Sequence, residues 1–214
     1  SVSISGDYAI VGAPYNDDVP NDSGSAYIFT RDGTTWTQQK IVTTDAAGSD
    51  QFGYSVAISG DYAIVGAYAK SGGGAAYIFT RNGTTWSEQA KLVAGDRVGG
   101  DKFGESVWIS GEYAIIGARL EDPGGTIDAG SAYIFKRTGT TWSEQAKLVA
   151  GDPGQADYFG QSVSISGDYA IVGANNDDSV TGSAYVFKRS GTTWSQQQKI
   201  VASDRQGGDQ FGTS

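Results

Sequence analysis

The sequence predicts an all-β protein, a β-propeller of four-stranded antiparallel blades with four repeats in this chain. Three observations support this fold class. The phrase ISGDYAIVGA occurs three times, and once more as ISGEYAIIGA, within 214 residues, so the chain is a tandem array. The repeats are 54, 51, 56 and 52 residues long, near the upper end of the range for propeller blades. Thirty-two glycines and only four prolines favour short strands and tight turns over helices.

Aligned on the serine that opens each first strand, the repeats predict blades at about 1–54, 55–105, 106–161 and 162–214. Ser1 and Ser214 occupy the same phase of the repeat, so no strand is left over to close a ring by exchange. We therefore expect an arc or unit of a larger assembly, either blades of a longer parent or a head-to-tail polymer. A closed four-blade ring with a narrow axis is the alternative.

Each repeat contains four predicted strands. SVSIS alternates apolar and polar residues and forms the first strand, and DYAIVGA forms a second strand that is buried on both faces. The Ser-Gly pair between them is predicted to form a hairpin turn. SAYIF or a close variant is the third strand, and the fourth begins at the tryptophan of a recurring Thr-Thr-Trp triplet. The fourth strands are predicted at 36–42, 86–93, 142–149 and 194–201.

The fourth strand of the first repeat is one residue shorter than its counterparts. Trp36 and Lys40 are four positions apart, whereas Trp86 and Lys91, like the corresponding residues of the later repeats, are five apart. Because side chains alternate between faces, this deletion would turn Trp36 to the wrong face unless a bulge absorbs the difference. We predict a β-bulge in the three longer copies and none in the first.

A recurring signature is carried by the segments that flank the first two strands. A Phe-Gly pair precedes each later first strand, Val-Gly-Ala or Ile-Gly-Ala closes each second strand, and Pro14 completes a literal Gly-Ala-Pro in the first copy. The Phe-Gly pairs begin at Phe52, Phe103, Phe159 and Phe211. With this signature the whole chain resembles the FG-GAP repeat family, whose best-known members form the propeller at the head of integrin α chains. The resemblance implies four-stranded blades around an axis with the first strand innermost, and the integrin-like relatives use seven blades.

One departure from the family concerns calcium. Many members carry a calcium loop rich in Asp and Asn between strands one and two, but here that connection is only a Ser-Gly turn, so the family's calcium ligands are not carried over. One carboxylate follows each turn, which does not supply the roughly six to eight oxygens that calcium takes. We interpret these carboxylates as turn-stabilising. They are Asp7, Asp61, Glu112 and Asp168.

The aromatic residues divide into two groups. The tyrosines of the second strands and the tryptophans of the triplets recur in phase, which indicates packing between blades rather than a sugar-binding platform. Trp108 instead replaces a small residue on the innermost strand. We expect it to point towards the axis or the blade interface and to fill space there, with ligand stacking as the alternative.

Nearly all length variation lies between strands two and three, and in repeat folds such variable connections often form the binding face. Because antiparallel strands alternate in direction, these connections emerge at the same end as those from strand four to the next blade. That end carries 17 acidic and 5 basic residues, so the net charge of −9 is concentrated there. We call it the acidic end, comprising residues 13–25, 43–55, 67–75, 94–106, 118–131, 150–162, 174–183 and 202–214.

Two sets of carboxylates at the acidic end are candidate site residues. The outer-loop set, interpreted as a binding surface, is Asp17, Asp18, Asp22, Glu121, Asp122, Asp128, Asp177 and Asp178. The paired set recurs as Asp-x4-Asp before each Phe-Gly and is Asp45, Asp50, Asp96, Asp101, Asp152, Asp157, Asp204 and Asp209. In the paired set, the second Asp accepts amide hydrogens in the turn into the next blade, or the pair contributes to a divalent-cation loop completed by carbonyl oxygens. The second repeat has no acid in its outer loop, so we expect binding to concentrate at repeats one, three and four.

Composition argues against several function classes. The chain has no His and no Cys, which removes the usual base near neutral pH, the Ser-His and Cys-His nucleophiles, and the imidazole and thiolate metal ligands. Paired carboxylates can hydrolyse glycosides only when rigid elements hold them at a fixed separation. The paired carboxylates of this chain lie in predicted loops. The acidic charge disfavours nucleic acid and anionic membranes, and no apolar run approaches the roughly 20 residues of a membrane span.

The sequence therefore predicts a non-catalytic, extracellular or cell-surface binding and scaffolding module that works through its acidic end. The expected partner is a protein, a glycan or further copies of the chain, with no nucleic acid and no membrane insertion. No cofactor is required, and Ca²⁺ is the candidate cation. The alternative is a purely structural repeat of a secreted array or filament, whose acidity only keeps it soluble. A carbohydrate-active enzyme is the third and weakest hypothesis.

Overall fold

The computed structural model describes residues 1–17 and 21–214, and in these residues sixteen strands form four separate four-stranded antiparallel sheets. In each sheet the strand order follows the chain, which confirms the predicted fold class. We call the sheets blades 1 to 4. Blade 1 contains β1 (Val2–Ser5), β2 (Tyr8–Ala13), β3 (Ser25–Asp32) and β4 (Thr35–Ile41). Blade 2 contains β5 (Val56–Ser59), β6 (Tyr62–Ala67), β7 (Ala75–Asn82) and β8 (Thr85–Leu92). Blade 3 contains β9 (Ser106–Ser110), β10 (Tyr113–Ala118), β11 (Ser131–Thr138) and β12 (Thr141–Leu148). Blade 4 contains β13 (Phe159–Ser166), β14 (Tyr169–Ala174), β15 (Ser183–Ser190) and β16 (Thr193–Ile200).

Helical structure in the described part of the chain is confined to two outer loops. A 3₁₀ turn covers Pro123–Gly125, and a single helical turn covers Asp177–Val180. Asp178 and Ser179 in the second turn have φ of 52° and 66°, so this segment is a sharp loop rather than a regular helix. The expectation of almost no helix is confirmed.

The first hairpin turn of each blade lies one residue later than predicted. Ser5 pairs with Tyr8, so the two loop residues are Gly6 and Asp7, one position later than the predicted Ser-Gly turn. The same register recurs in the other three blades. Gly6 has a φ of +58°, a conformation that costs glycine little because it has no Cβ.

The predicted bulges are confirmed. The pairing of β7 with β8 shifts register between Ile78 and Phe79, and the corresponding pairs of blades 3 and 4 shift at the equivalent positions. β3 and β4 pair without a shift, as expected for the shorter first copy. The extra residue in the long copies is therefore absorbed locally, and all four tryptophans keep the same register against the third-strand arginines.

The apolar core lies between blades rather than within them. The described residues form three buried clusters, one at each contact between successive blades. The cluster between blades 1 and 2 contains Ile10 and Ile28 of blade 1, Val65 and Tyr77 of blade 2, and Phe52. A single blade buries little apolar surface on its own, which is the physical reason that such sheets occur as arrays. We call each contact between successive blades a joint.

The Phe-Gly turn fills the centre of each joint. Phe103 is fully buried and makes edge-to-face contacts with Tyr133 and Phe135, at centroid distances of 5.5 and 6.1 Å. Gly104 donates its amide hydrogen to the Gly117 carbonyl at 3.0 Å. The glycine of each second-strand Gly-Ala must also lack a side chain, because a Cβ on Gly117 would overlap the carbonyl oxygen of the next Phe-Gly turn. The recurring signature thus consists of residues that seat one blade against the next.

A second set of aromatic contacts closes the opposite side of each joint. Tyr62 meets Trp142 edge-to-face at 6.2 Å, and the Arg137 guanidinium lies 4.5 Å from the Tyr62 ring centroid. The same contacts join Tyr8 to Trp86 and Arg81, and Tyr113 to Trp194 and Arg189. The prediction of packing between blades is confirmed. The arginine at this position of each blade also pairs with the carboxylate in the first hairpin turn of its own blade, and these pairs are Arg31–Asp7, Arg81–Asp61, Arg137–Glu112 and Arg189–Asp168.

The four sheets form an open arc, because the outer faces of blades 1 and 4 are uncovered. Trp36 on blade 1 is 41% exposed, whereas its three counterparts are at most 9% exposed. Tyr169 on blade 4 is 51% exposed, although its counterparts are shielded by the tryptophan of the next blade. The first strands converge on an axial cavity of about 370 Å³, which confirms that they are innermost. Trp108 lines this cavity, as expected, and is 40% exposed.

Candidate binding site at the acidic end

The first aspartate of each Asp-x4-Asp pair is held within a joint. Asp96 accepts hydrogen bonds from the Tyr133 hydroxyl at 2.8 Å and from Lys147 Nζ at 2.7 Å, and both donors belong to the following blade. Burial acts to raise the pKa of Asp96, but the hydrogen bonds from Lys147 and Tyr133 outweigh it and hold the pKa below its usual range. Equivalent contacts join Asp45 to Tyr77 and Lys91, and Asp152 to Tyr185 and Lys199.

The second aspartate of each pair stabilises the turn that leads into the Phe-Gly segment. Asp101 Oδ2 accepts a hydrogen bond from the Val98 amide at 2.6 Å. Asp50, Asp157 and Asp209 accept the equivalent hydrogen bonds, from Ala47, Gly154 and Gln206 respectively. These hydrogen bonds match the first of the two interpretations of the Asp-x4-Asp pairs, in which the second Asp accepts amide hydrogens in the turn into the next blade. Asp204, the first aspartate of the last pair, is exposed beyond β16, at the open end of the arc.

Blade 2 places a lysine where blades 3 and 4 place an acid. Lys70 is only 8% exposed, and its Nζ lies 2.7 Å from Asp50 Oδ2 and 3.5 Å from Asp45 Oδ1. The corresponding outer-loop positions of blades 3 and 4 are Glu121 and Asp177. Lys70 therefore neutralises the carboxylates of the first pair, which gives a physical basis for expecting no binding at the second repeat.

The outer-loop carboxylates of blades 1 and 4 differ in their surroundings. Asp17 is exposed and accepts a hydrogen bond from the Asp22 amide at 2.8 Å, while Asp18 lies outside the described residues. Asp177 is buried and accepts hydrogen bonds from Tyr185 and Lys199, both at 2.7 Å. Asp178 pairs with Arg205 at 3.0 Å and with Lys199 at 3.3 Å. The acids of blade 4 are thus compensated by basic groups of the same end.

The outer loop of blade 3 forms an acidic cavity. The cavity has a volume of about 380 Å³ and is lined by Asp101, Glu121, Asp122 and Asp128, together with Leu120 and a Val-Gly-Gly segment. Glu121 is already engaged, since it accepts hydrogen bonds from Ser131 at 2.5 Å and from Lys147 at 2.8 Å. Among the described residues, the side chain of Asp122 accepts a hydrogen bond from the Asp128 amide, at 2.7 Å. Carboxylates of both predicted sets therefore meet in one concave surface.

Electrostatics in this cavity favour a positive occupant. Burial raises the pKa of Asp101, and the negative charges of Glu121, Asp96 and Asp122 raise it further, against the hydrogen bond from Val98. Among the described residues no basic side chain pairs with Asp101, Asp122 or Asp128. A cationic group that entered the cavity would relieve this repulsion, because opposite charges favour the ionised carboxylate.

The lysines at this end are what sequence reasoning missed. Lys91, Lys147 and Lys199 lie on fourth strands and were left out of the charge of the acidic end, yet their ammonium groups bind its carboxylates. The net charge of that end is therefore less negative than predicted, and Asp101, Asp122 and Asp128 are among the carboxylates that pair with no basic side chain of the described residues. The in-phase recurrence of lysine after each Thr-Thr-Trp triplet was the available signal.

Two further observations concern metal-ion sites and membrane spans. Across residues 1–17 and 21–214, no cluster of three or more acidic side chains has the arrangement of a metal-ion site. No helix in the same part of the chain has the length and apolar character that crossing a membrane requires.

Blades joined through Phe-Gly turns, with variable acidic loops at one end, define a repeat protein of the β-propeller class. The family model described as FG-GAP repeat matches residues 1–29, 36–79, 86–135, 142–187 and 194–214. The chain belongs to this family, which confirms the resemblance. A comparison with curated proteins found no match.

The joint chemistry predicts sensitivity to alkaline pH. Burial, reinforced by the hydrogen bonds to Asp45, Asp96 and Asp177, raises the pKa of Tyr77, Tyr133 and Tyr185 above the usual value of about 10. The hydrogen bonds of Lys147 and Lys199 to carboxylates outweigh burial and raise their pKa values as well. Above about pH 10 the unfolded chain therefore loses protons that the folded chain keeps, and stability falls as the pH rises. We expect the melting temperature to drop steeply between about pH 10 and 12.

Calorimetric melting of two tyrosine variants tests whether the buried tyrosines of the joints cause the loss of stability at alkaline pH. Tyr133→Phe removes a buried hydroxyl and should lower stability by about 1 kcal/mol near pH 8, but with a shallower loss above pH 10. Tyr15→Phe, at a tyrosine that is 63% exposed, should leave the alkaline slope unchanged. If the melting temperature of Tyr133→Phe fell with pH as steeply as that of the wild type, the buried tyrosine would not be the cause of the alkaline sensitivity.

Proposed function

We propose that this chain is a non-catalytic, extracellular or cell-surface binding and scaffolding module. Its acidic end receives a basic segment of a partner protein, and the blades hold that surface rigid. The family supports a propeller-type binding scaffold, and the chemistry of the blade 3 cavity supports a cationic ligand. The absence of His and Cys from the sequence leaves few groups suited to catalysis near neutral pH.

The observation that supports this proposal most directly is the acidic cavity between the Val98–Asp101 turn and the outer loop of blade 3. Three of its carboxylates have no basic partner among the described residues. Asp101 is 7% exposed and has no cationic partner among the described residues, while Asp122 and Asp128 add charge at the rim. Among the second aspartates of the other two joints, Asp50 forms an ion pair with Lys70, and the charge of Lys199 acts to lower the pKa of Asp157 against the effect of burial. The carboxylates of the blade 3 cavity range from the buried Asp101 to the exposed Asp122, and a bound cation would offset their mutual repulsion.

A lysine side chain matches this cavity in charge and shape. It is long and slender and ends in three hydrogen-bond donors, so it can reach Asp101 while its methylene groups lie against Leu120. Neighbouring lysines of the same segment could then meet Asp122 and Asp128 at the rim. Charge attraction of this kind mainly speeds association and weakens as salt is added.

Calorimetric titration of the full chain with octalysine tests the proposal. We expect saturable binding at low ionic strength that weakens strongly at 0.5 M salt, a concentration at which the screening length falls to roughly 4 Å. The double variant Asp122→Asn with Asp128→Asn should bind about tenfold more weakly, equivalent to ~1.4 kcal/mol. Asparagine keeps the hydrogen bond at 122 and tolerates the φ of 53° at 128.

The matched control removes two charges from the opposite end. Asp32→Asn with Glu112→Gln changes the net charge equally but lies at the three-to-four and one-to-two turns, so its octalysine affinity should stay near that of the wild type. Equal weakening by both double variants would show a general charge effect and would contradict the site. A calcium titration separates the metal alternative: heat with millimolar calcium but none with octalysine would replace the peptide proposal by a cation site. If neither calcium nor octalysine gave heat of binding, the alternative of a purely structural repeat would be favoured.

A further inference from the structure

We propose that the partner segment carries an acidic residue close to its basic one, and that this acidic residue binds in a second cavity on the blade 2 side of the Val98–Asp101 turn. The inference rests on the proposed function, because it assigns a further part of the same ligand. The segment would lie across the turn at Gly99 and Gly100. Its basic side chain would enter the blade 3 cavity, and its carboxylate would enter the cavity on the other side.

The second cavity adjoins the blade 3 cavity. It has a volume of about 260 Å³ and lies between the outer loop of blade 2 and the turn that leads into Phe103. Its lining consists of residues 68–74 of that loop together with Gly99, Gly100 and Lys102. Gly99 and Gly100 line the blade 3 cavity as well, so the two cavities meet at these residues. One short segment can reach both, because each residue of an extended chain spans roughly 3.3–3.6 Å. We call the second cavity the blade 2 cavity.

The charge of the blade 2 cavity is opposite to that of its neighbour. Its lining contains two lysines and no carboxylate. Lys70 is already engaged with the first aspartate pair. Lys102 is half-buried, and its ammonium group lies 4.9 Å from the centre of the Tyr68 ring. Lys102 pairs with no carboxylate among the described residues, and Glu105, three positions later, pairs with Arg119 at 2.8 Å instead.

The fold does not require a lysine at position 102. The residue before each Phe-Gly pair has a left-handed backbone, with φ between 52° and 60° in all four copies. The residues at this position are Gln51, Lys102, Tyr158 and Gln210. Glutamine adopts the same backbone twice, so the turn itself does not explain the positive charge of Lys102. A charge that the fold does not need, in a loop that lines a cavity, indicates recognition of a ligand.

Backbone donors add to the positive character of the blade 2 cavity. The amide hydrogens of Gly72, Gly99 and Gly100 have no acceptor among the described residues, and all three glycines are exposed. Because glycine has no side chain, a ligand can approach this backbone closely. A carboxylate between the loop and the turn could accept hydrogen bonds from these amides and from the Lys102 ammonium. Hydrogen bonds to an ionised group are the stronger kind.

The neighbouring cavity favours a carboxylate that belongs to a basic segment over a free anion. The protein carries a net charge of −9, and Asp101 and Asp122 lie on the other side of the turn, so a free anion is repelled. An acidic residue linked to a bound lysine arrives with its own counter-charge. The linkage also raises its effective concentration at the blade 2 cavity, which lowers the cost of the second contact.

Calorimetric titration of the full chain with matched peptides tests this inference. One peptide is tetralysine followed by Gly-Gly-Glu-Glu, its twin ends in Gln-Gln instead, and each is made in both chain directions. General attraction to a protein of net charge −9 predicts weaker binding of the glutamate peptide. We expect the opposite in one direction, with the glutamate peptide bound about threefold to fivefold more tightly at low ionic strength, as for a partly exposed ion pair.

Lys102→Gln identifies the side chain that binds the carboxylate. Glutamine has the same left-handed backbone at Gln51 and Gln210, so we expect the variant to fold like the wild type. Its preference for the glutamate peptide should disappear. Lys136→Gln is the matched control, because it removes the same charge from β11, where the ammonium lies over the Tyr113 ring. This control should keep the preference.

The outcomes distinguish this inference from the proposed function. If the glutamine peptide binds and the glutamate peptide binds more weakly in both directions, this inference is wrong and the proposed basic segment stands. A preference for glutamate that persists in Lys102→Gln would place the carboxylate elsewhere and would also overturn the inference. If neither peptide binds, the proposed function fails and the inference fails with it.

Discussion

Gly117→Ala is expected to lower the stability of the array by about 4 kcal/mol or more, or to prevent folding of the last two blades together. The added Cβ would overlap the Gly160 carbonyl oxygen of the next Phe-Gly turn and also crowd the Ser106 hydroxyl. Neither obstacle is a flexible chain end, because the carbonyl belongs to the backbone and Gly160 is fixed by its own left-handed conformation, with a φ of 95°. Overpacking of a rigid joint can be relieved only by moving the blades apart.

Urea unfolding followed by circular dichroism measures this effect. The control is Gly99→Ala, whose Cβ would meet nothing within 4 Å and whose φ is not left-handed. That variant should unfold within about 0.5 kcal/mol of the wild type or slightly later, since alanine restricts the unfolded chain. A Gly117→Ala protein with an unchanged midpoint would show that the blades do not approach as closely as described.

Phe103→Ala is expected to destabilise the protein by about 3 to 5 kcal/mol. The ring is fully buried between blades 2 and 3 and contacts Tyr133 and Phe135, so its loss leaves a cavity at the centre of a joint. The chain supplies a matched control in Phe211, which occupies the same motif at the open end and is only half-buried.

Thermal and urea unfolding should rank the two phenylalanine variants in a fixed order. Phe211→Ala should lower the stability of the single chain much less than Phe103→Ala, because its ring contacts no following blade. Equal losses from the two variants would mean that the joints do not carry the stability of the array. In repeat proteins such a loss is local to the affected interface, so we expect the unfolding transition of Phe103→Ala to split into two steps.

The sequence was sufficient for features that follow from local chemistry and period. Alternation of side chains predicted the strands, and the missing residue between Trp36 and Lys40 predicted which blade lacks a bulge. The in-phase recurrence of Tyr62 and Trp142 predicted packing between blades. These features depend on neighbours in the chain or on the fixed offset of one repeat, both of which can be read along the sequence.

The candidate site was only partly predictable because its electrostatics depend on contacts across joints. Asp96 and Lys147 are 51 positions apart, and their pairing follows from how blade 3 seats on blade 2. The same seating brings Asp101 next to Asp122, two residues that the sequence had placed in separate sets. Loop lengths predicted which end varies, but not that carboxylates of both sets would meet in one cavity.

The central claim, that the blade 3 cavity binds a basic segment, is tested most directly by amide chemical shifts of the full chain during titration with octalysine. The account predicts shifts for Gly99, Gly100, Asp101, Asp122 and Asp128, which line the cavity, at low ionic strength. It predicts no shift for Gly33, Gly83 and Gly139, which lie in turns at the opposite end. Shifts spread evenly over both ends, or confined to the turns, would contradict the account.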